Sequence, residues 1–498
     1  MLLTTSASLD LFILLFALFF ILHKYISRSH EYWSKRGVDT PKPLPIFGHF
    51  LKVALFKTTL AEWLKDYYDA AKGKYFGLYV FDEPFLVIKD PEIIKYITTK
   101  DFNYFMDRNI AAPSHDVLQR HILFLQKSPG WKSIRIKLTP AFTSGRLKAM
   151  FHLIDSCGQE LENWISHNLG ILEAKEVVAK YATNVIAKCA FGIDSECFLH
   201  EKPAFREVGR KFFDFRWRNA LSQTLYFLKP SWIDKIKLDF IDKQCLEYFS
   251  KVFIETLNTR PDEEQYNDFI DILKELRKNN EFASDGSDDS KLAGIAIQIF
   301  MAGFETTSTT ISFTLYEFCM NTKIQDKARN EIKTVLEKYG GKVTYEAVRD
   351  CVYLEMCMNE TLRKYPVLPF LDRRCNADYK VPGTDLIIEK GTAVFIPMYG
   401  LQMDEKYFPE PFKYKPERFL NKIESTNGVT YLPFGVGPRI CIGERFGRLS
   451  TKLALIYVLK KFEIEACDSS PDPVKFEPKC FLFASTVGLP LKFKLLQS

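Results

Sequence analysis

The stretch from Ser290 to Asn321 constrains the fold of this chain more than any other. It reads as one mostly apolar helix, on the order of 48 Å long. A helix with a single apolar stripe lies on a surface, but one that is apolar all round must be covered on every side. Only a large domain can cover it, with the helix running through the middle. The chain has 498 residues, of which 47% are hydrophobic, enough for such a core. No Gly/Ser-rich or Pro-rich linker follows residue 50, and no internal repeat occurs. One large domain is therefore expected where length alone allows about three. At the centre of the helix stands Ala302-Gly303-Phe304-Glu305-Thr306-Thr307. Gly303 weakens the helix and Thr306 can divert a backbone carbonyl, so a local distortion is expected. An ionisable Glu305 in apolar surroundings is costly unless it has partners or a task.

The second constraint is Phe434-Gly435-Val436-Gly437-Pro438-Arg439-Ile440-Cys441-Ile442-Gly443. Closely spaced glycines permit a tight turn that aims backbone N–H groups at the Cys441 sulfur. Those donors, together with a metal, would hold the sulfur as thiolate. Gly443 lets a helix or a flat ligand lie against the backbone, and Arg439 offers a fork suited to a carboxylate. Thiolate, flat group and carboxylate together point to haem; the plainer alternative is a buried structural cysteine. The other cysteines, out of eleven, show no Cys-x-x-Cys pair and no zinc spacing. They read as small buried hydrophobes of a reducing compartment. Net charge is +6, from 68 basic and 62 acidic residues, which carries no nucleic-acid signature.

The ten-residue loop resembles the haem-binding loop of the cytochrome P450 superfamily, and further segments extend the resemblance in the same order. Trp131 and Arg135, four apart on one helical face, resemble a pair that lies against haem propionates, and PAFTSGRLKAMF at 140–151 continues it. Glu305 and Thr306 resemble the acid–alcohol pair of oxygen-activating members. Glu360 and Arg363, three apart, resemble a buried network completed by Arg418. ETLRKYPVLPFLDR at 360–373 resembles an animal microsomal branch rich in insect detoxification enzymes.

The resemblance implies a mainly helical fold with small β-sheets, a single large domain enclosing haem b. It implies Cys441 as the iron ligand, with Arg108, Trp131, Arg135, Arg373, Phe434, Arg439 and Gly443 around the haem. Glu305 and Thr306 are implied as catalytic, and Met301, Ala302, Leu368 and Leu371 as pocket lining. The implied reaction is monooxygenation of an apolar small molecule, whether xenobiotic, fatty acid or steroid-like. Electrons would come from NADPH through a separate reductase, with cytochrome b5 as a second candidate donor. Lys132, Lys137, Arg445 and Arg448 are candidates for the reductase-facing surface. The rival readings are a haem-thiolate isomerase or lyase acting on peroxides and a non-catalytic haem sensor or carrier.

The amino terminus adds an expected membrane anchor over residues 1–23. Leu11 to Leu22 is an unbroken apolar run, and counted from Leu2 the stretch spans roughly 31 Å as helix, close to the thickness of a bilayer core. Lys24, Arg28, Lys35 and Arg36 follow, which favours a domain facing the cytosol from the endoplasmic reticulum membrane. Residues 24–48, basic and then proline-rich, read as a stiff spacer, and 49–498 as the haem-thiolate domain.

Local expectations complete the reading. Pro84–Ile88 and Val394–Ile396 read as strands, 106–129 as an irregular loop, and a helix follows Cys441 to about Lys461. Residues 279–290 read as a polar surface loop and 479–494 as a final strand pair. Phe212, Phe213, Phe215 and Trp217 line a pocket, touch membrane or pack in the core.

Overall fold

The central helix runs from Asp288 to Met320, 33 residues without a break. The computed structural model describes residues 7–261, 264–279, 288–420 and 428–497. Around the central helix pack the helices Ala174–Ile186, Lys243–Thr259, Val352–Lys364 and Glu444–Leu459. Its closest neighbour is Ala174–Ile186, and Gly303 explains why. A Cβ there would sit 2.4 Å from Ile186 Cδ1. The glycine therefore permits close packing of two helices, and the distortion expected from it does not occur. Thr306 Oγ1 does donate to the Ala302 carbonyl, at 2.5 Å, but the helix absorbs this without breaking.

The sheets are small. β1 (Tyr75–Val80), β2 (Glu83–Ile88), β4 (Leu371–Arg374) and β7 (Ala393–Ile396) form one sheet in the order β1-β2-β7-β4, in which only β2 and β7 run parallel. A second sheet holds β3 (Gly170–Glu173), β9 (Pro490–Leu495) and β8 (Phe462–Glu465) in that order. Two-residue strands β5 (Tyr379–Lys380) and β6 (Ile387–Ile388) pair with each other. The expected pair over 479–494 is corrected here. Only Pro490–Leu495 is a strand, and it pairs with β3 and β8 because their exposed edges lie on either side of it.

The proline segment also differs from the expected spacer. Leu44 and Gly48 bridge each other, and Gly48 bridges Val80. Trp33 is buried, its indole donating to the Leu78 carbonyl at 3.2 Å. The segment is thus stitched along β1. Before it, the helix Ala7–Ser29 exposes every residue from Leu11 to Ile21. No helix among the described residues is long and apolar enough to cross a membrane. The polar His23, Lys24, Arg28 and Ser29 occupy the end of this one, and residues 1–6, which the expected span includes, lie outside the described residues. The same holds for most of the loop expected over 279–290.

The aromatic stretch divides. Phe212 packs in the core, Phe213 is half-buried against Phe304, and Phe215 and Trp217 are exposed.

Candidate functional site

The thiol loop is held by its own backbone. Gly435 and Gly437 have φ of +74° and +73°, conformations that side chains resist. Gly437 is also pressed against the neighbouring segment, where a Cβ would lie 2.0 Å from the Thr98 carbonyl oxygen. The Cys441 N–H donates to the Phe434 carbonyl at 2.8 Å, closing the turn. Of the other ten cysteines, nine are buried and Cys467 is half-exposed, whereas Cys441 presents open surface. Burial nevertheless raises its thiol, opposed by the Gly443 N–H and by Arg135 and Arg108. A sulfur that is both open and surrounded lines an internal cleft. At Gly443 the nearest protein atom to a Cβ is 3.9 Å away, so no protein neighbour demands a glycine there.

Four arginines crowd one side of this cleft. Arg108 pairs with Asp372 at 3.1 Å and lies over the Phe124 ring. Arg373 is buried, donates through Nη1 to the Asp372 carbonyl, and leaves Nε buried without a partner. Burial and Arg108 pull it down to about 9. Arg439 is pulled down to about 8 by burial and by Arg108 and Arg373. Burial also lowers half-buried Arg135, helped by Arg108 and opposed by Cys441. Half-buried Lys127, brought down to about 8 by desolvation, donates to the Arg108 and Ile110 carbonyls. Among the described residues, Asp107 and Asp372 are the carboxylates paired with these cations. Burial would raise Asp372, but Arg108 and the Ile110 N–H hold it low.

Such a cluster lacks anions. Haem fits it: two propionates would supply the missing charge and a partner for Arg373 Nε, a flat macrocycle would lie against Gly443, and iron would take the sulfur. The fork of Arg439 has protein partners of its own. It donates to the Met106 and Gln126 carbonyls, lies 3.6 Å from Asp107, and stacks on Trp131 at 3.8 Å. Trp131 shares a helix, Gly130–Leu138, with Arg135, but its stacking partner is Arg439.

The other wall is the central helix. It is buried over most of its surface, yet Ala302 is exposed and Gln298, Ile299, Met301, Gly303 and Thr306 are half-buried. Gln298, Ala302 and Thr306, spaced by four, make one open stripe. Phe124 joins the walls: its ring lies under Arg108 and its N–H donates to Gln298 Oε1 at 3.2 Å. Leu368 is half-buried, but Leu371 is buried in the core of the first sheet and approaches Gly435. It is therefore not part of the open lining.

Glu305 turns away from the stripe. Its carboxylate meets Lys175 at 2.9 Å, and the same ammonium donates to Ser308 and Thr309 hydroxyls at 2.7 Å each. Phe434 lies under the Arg448 guanidinium. Arg448 is itself tied to Glu355, Glu444 and Asn359, while Lys132 and Arg445 are exposed.

Beneath the loop, Glu360 receives two parallel bonds from Arg363, at 2.8 and 2.9 Å, and one from Arg418 at 3.1 Å. Arg363 also donates to the Gln402 and Pro411 carbonyls. Gln402, whose surroundings had no reading from the sequence, bonds the Leu362 and Arg363 carbonyls and accepts the Leu432 N–H. It links the ion-pair network to the start of the thiol loop. Lys127, Lys175, Gln298 and Gln402 had no local signal in the sequence. Their partners lie far along the chain, so only the folded structure brings them together.

Comparison with known proteins gives one consistent answer. The sequence model of the family described as Cytochrome P450 matches residues 38–493. Cytochrome P450 6k1 of Blattella germanica is 41% identical, with 98% of each chain covered. Cytochrome P450 6j1 of the same organism is 38% identical over 94% of each. Probable cytochrome P450 6g2 of Drosophila melanogaster is 35% identical over 97% of this chain and 98% of its own. These relatives come from insects, in keeping with the branch expected from the sequence.

Proposed function

Since the chain belongs to the cytochrome P450 family, and is therefore a haem-thiolate monooxygenase with haem b as cofactor, we propose that it oxidises apolar small molecules of the xenobiotic, fatty acid or steroid-like kind. NADPH supplies the electrons through a separate membrane-bound reductase, and detoxification is the physiological role. The observation that carries this reading is the pairing of an open, enclosed Cys441 sulfur with an apolar stripe interrupted by the Thr306 hydroxyl.

The residues divide the work. Cys441 is the iron ligand, and its N–H-supported sulfur is electron-rich. Arg108, Arg135 and Arg373 hold the propionates, and Trp131 with Arg439 secures the segment behind them. When bound, the haem iron supplies the binding and reductive cleavage of dioxygen. Met301, Ala302 and Leu368 exclude water and receive the substrate. Thr306 donates to the Ala302 carbonyl, which leaves its oxygen lone pairs to accept from an ordered water in the cleft. Glu305 takes protons from the partly exposed Lys175 side and passes them inward when its carboxylate swings free of that ammonium.

Thr306→Ala with a good substrate tests this division. Haem binding and reduction should be nearly unchanged, while product formed per NADPH falls and hydrogen peroxide makes up the difference. Unchanged yield without extra peroxide would return Thr306 to an ordinary helix position.

The domain faces the cytosol from the endoplasmic reticulum membrane, held by the amino-terminal helix. Its exposed apolar side chains and the basic residues after them support this. The apolar length required includes Leu2 and Leu3 ahead of the described helix. Lys132 and Arg445 offer positive charge to the reductase, and cytochrome b5 is an alternative donor for the same face. Deleting residues 2–22 should move part of the protein from the membrane to the soluble fraction with haem retained; a fully membrane-bound product would reject the helix as the anchor.

A further inference from the structure

Gln298 is the one amide side chain on the open stripe of the central helix. It stands one turn before Ala302 and two turns before Thr306, about 12 Å from Thr306 along the axis. Apart from the Arg108 guanidinium over the Phe124 ring, the surroundings are apolar. The Phe124 ring packs on Phe227, and Phe227 on Phe370 and Phe481. In such a wall a polar group is costly unless something meets it.

The amide has only one orientation. Its oxygen accepts the Phe124 backbone N–H at 3.2 Å. An NH2 group cannot accept that bond, so the oxygen must face Phe124 and Nε2 must face away from it. Among the described residues Nε2 has no protein acceptor, and it is not sealed in the interior. Phe124 thus holds an amide donor toward the cleft.

We propose that Gln298 is a specificity-determining residue whose Nε2 donates to a neutral acceptor oxygen, a carbonyl, ether or ester, on an otherwise apolar substrate. That bond fixes one end of the substrate and so selects which carbon lies at the level of Thr306. The preferred substrates are molecules whose acceptor and oxidised carbon are separated by on the order of 10 Å, the spacing of the two side chains along the helix. The proposal deepens the monooxygenase reading and rests on it.

Binding of 2-dodecanone and dodecane to the full-length, haem-loaded protein tests it, since the two differ by one carbonyl oxygen. Affinities are read from the haem difference spectrum at pH 8. The wild-type protein should favour the ketone by about 10-fold, the worth of one good hydrogen bond. Gln298→Leu should remove the preference. Because that change also releases Phe124, Gln298→Glu is the second variant: its carboxylate still accepts the Phe124 N–H but offers no donor. It should likewise bind ketone and alkane equally, and the hydroxylation positions on the ketone should spread. A ketone preference surviving in Gln298→Glu would overturn the proposal, as would equal binding in the wild type. Failure of the monooxygenase reading has a separate signature, the absence of NADPH-dependent product from either compound, whatever the binding preference.

Discussion

Two arginine clusters flank the thiol loop, and they differ in how fully their donors are used. Around Glu360 every guanidinium nitrogen has an acceptor. Arg363 makes a two-bond pair with the carboxylate and fills its remaining donors with carbonyls, and Arg418 takes the outer side. Around Asp372 the charges do not close: four arginines and Lys127 face two aspartates, and Arg373 Nε is stranded. A closed cluster holds a fold together by itself. An open one is held in place by the rest of the fold and completed by a ligand. The same residue type thus serves as scaffold in one place and as receptor in the other, and the count of partners tells them apart.

The largest expected effect comes from breaking the closed cluster. Arg363→Ala leaves Glu360 buried with Arg418 as its remaining charged partner, at a cost of about 3–5 kcal/mol, a large share of a typical domain's stability. Thermal unfolding and the yield of haem-loaded protein measure it; normal values for both would mean the cluster is not structural.

Breaking the open cluster should do the reverse. Arg373→Met strands no carboxylate, because Asp372 keeps Arg108 and the Ile110 N–H. The fold should survive with little loss. Haem, however, loses a charge-assisted bond worth about 1.5–3 kcal/mol, so its transfer to apomyoglobin should speed up about 10- to 100-fold. Unchanged transfer would remove Arg373 from the haem site.

The smallest effect concerns Lys127. Burial brings it down to about 8 from a usual 10.5, so folding opposes its charged form. That cost is fully present below pH 8 and fades as pH rises toward 10.5. Denaturant unfolding should show the wild type gaining stability relative to Lys127→Met across this window. Haem propionates would favour the ammonium, so the slope should be shallower in haem-loaded protein than in haem-depleted protein. Equal slopes would mean that no carboxylate comes near.

Much of this was legible in advance, for physical reasons that differ by residue. The central helix showed itself by its length and apolar content, and the thiol loop by glycines that only special backbone conformations require. Glu360 and Arg363 were visible through their spacing of three. What could not be read were partners across long sequence separations. Lys175 meets Glu305 across 130 residues, so nothing local announced that the acid is tethered. Leu371 follows the pocket residues closely in sequence, yet it is packed into the core of the first sheet. Gly303 suggests a weakened, locally distorted helix, whereas its missing side chain makes room for Ile186.

Gly437 has a further consequence. With the Thr98 carbonyl occupying the space of a Cβ, the thiol loop rests on a main-chain stop. Side chains can bend, rotate and repack; a carbonyl within a hydrogen-bonded turn cannot. The loop is therefore positioned like a machined part against a shoulder, with no compliant layer between. Any side chain at position 437 would therefore have to displace this backbone, and with it the loop that carries Cys441.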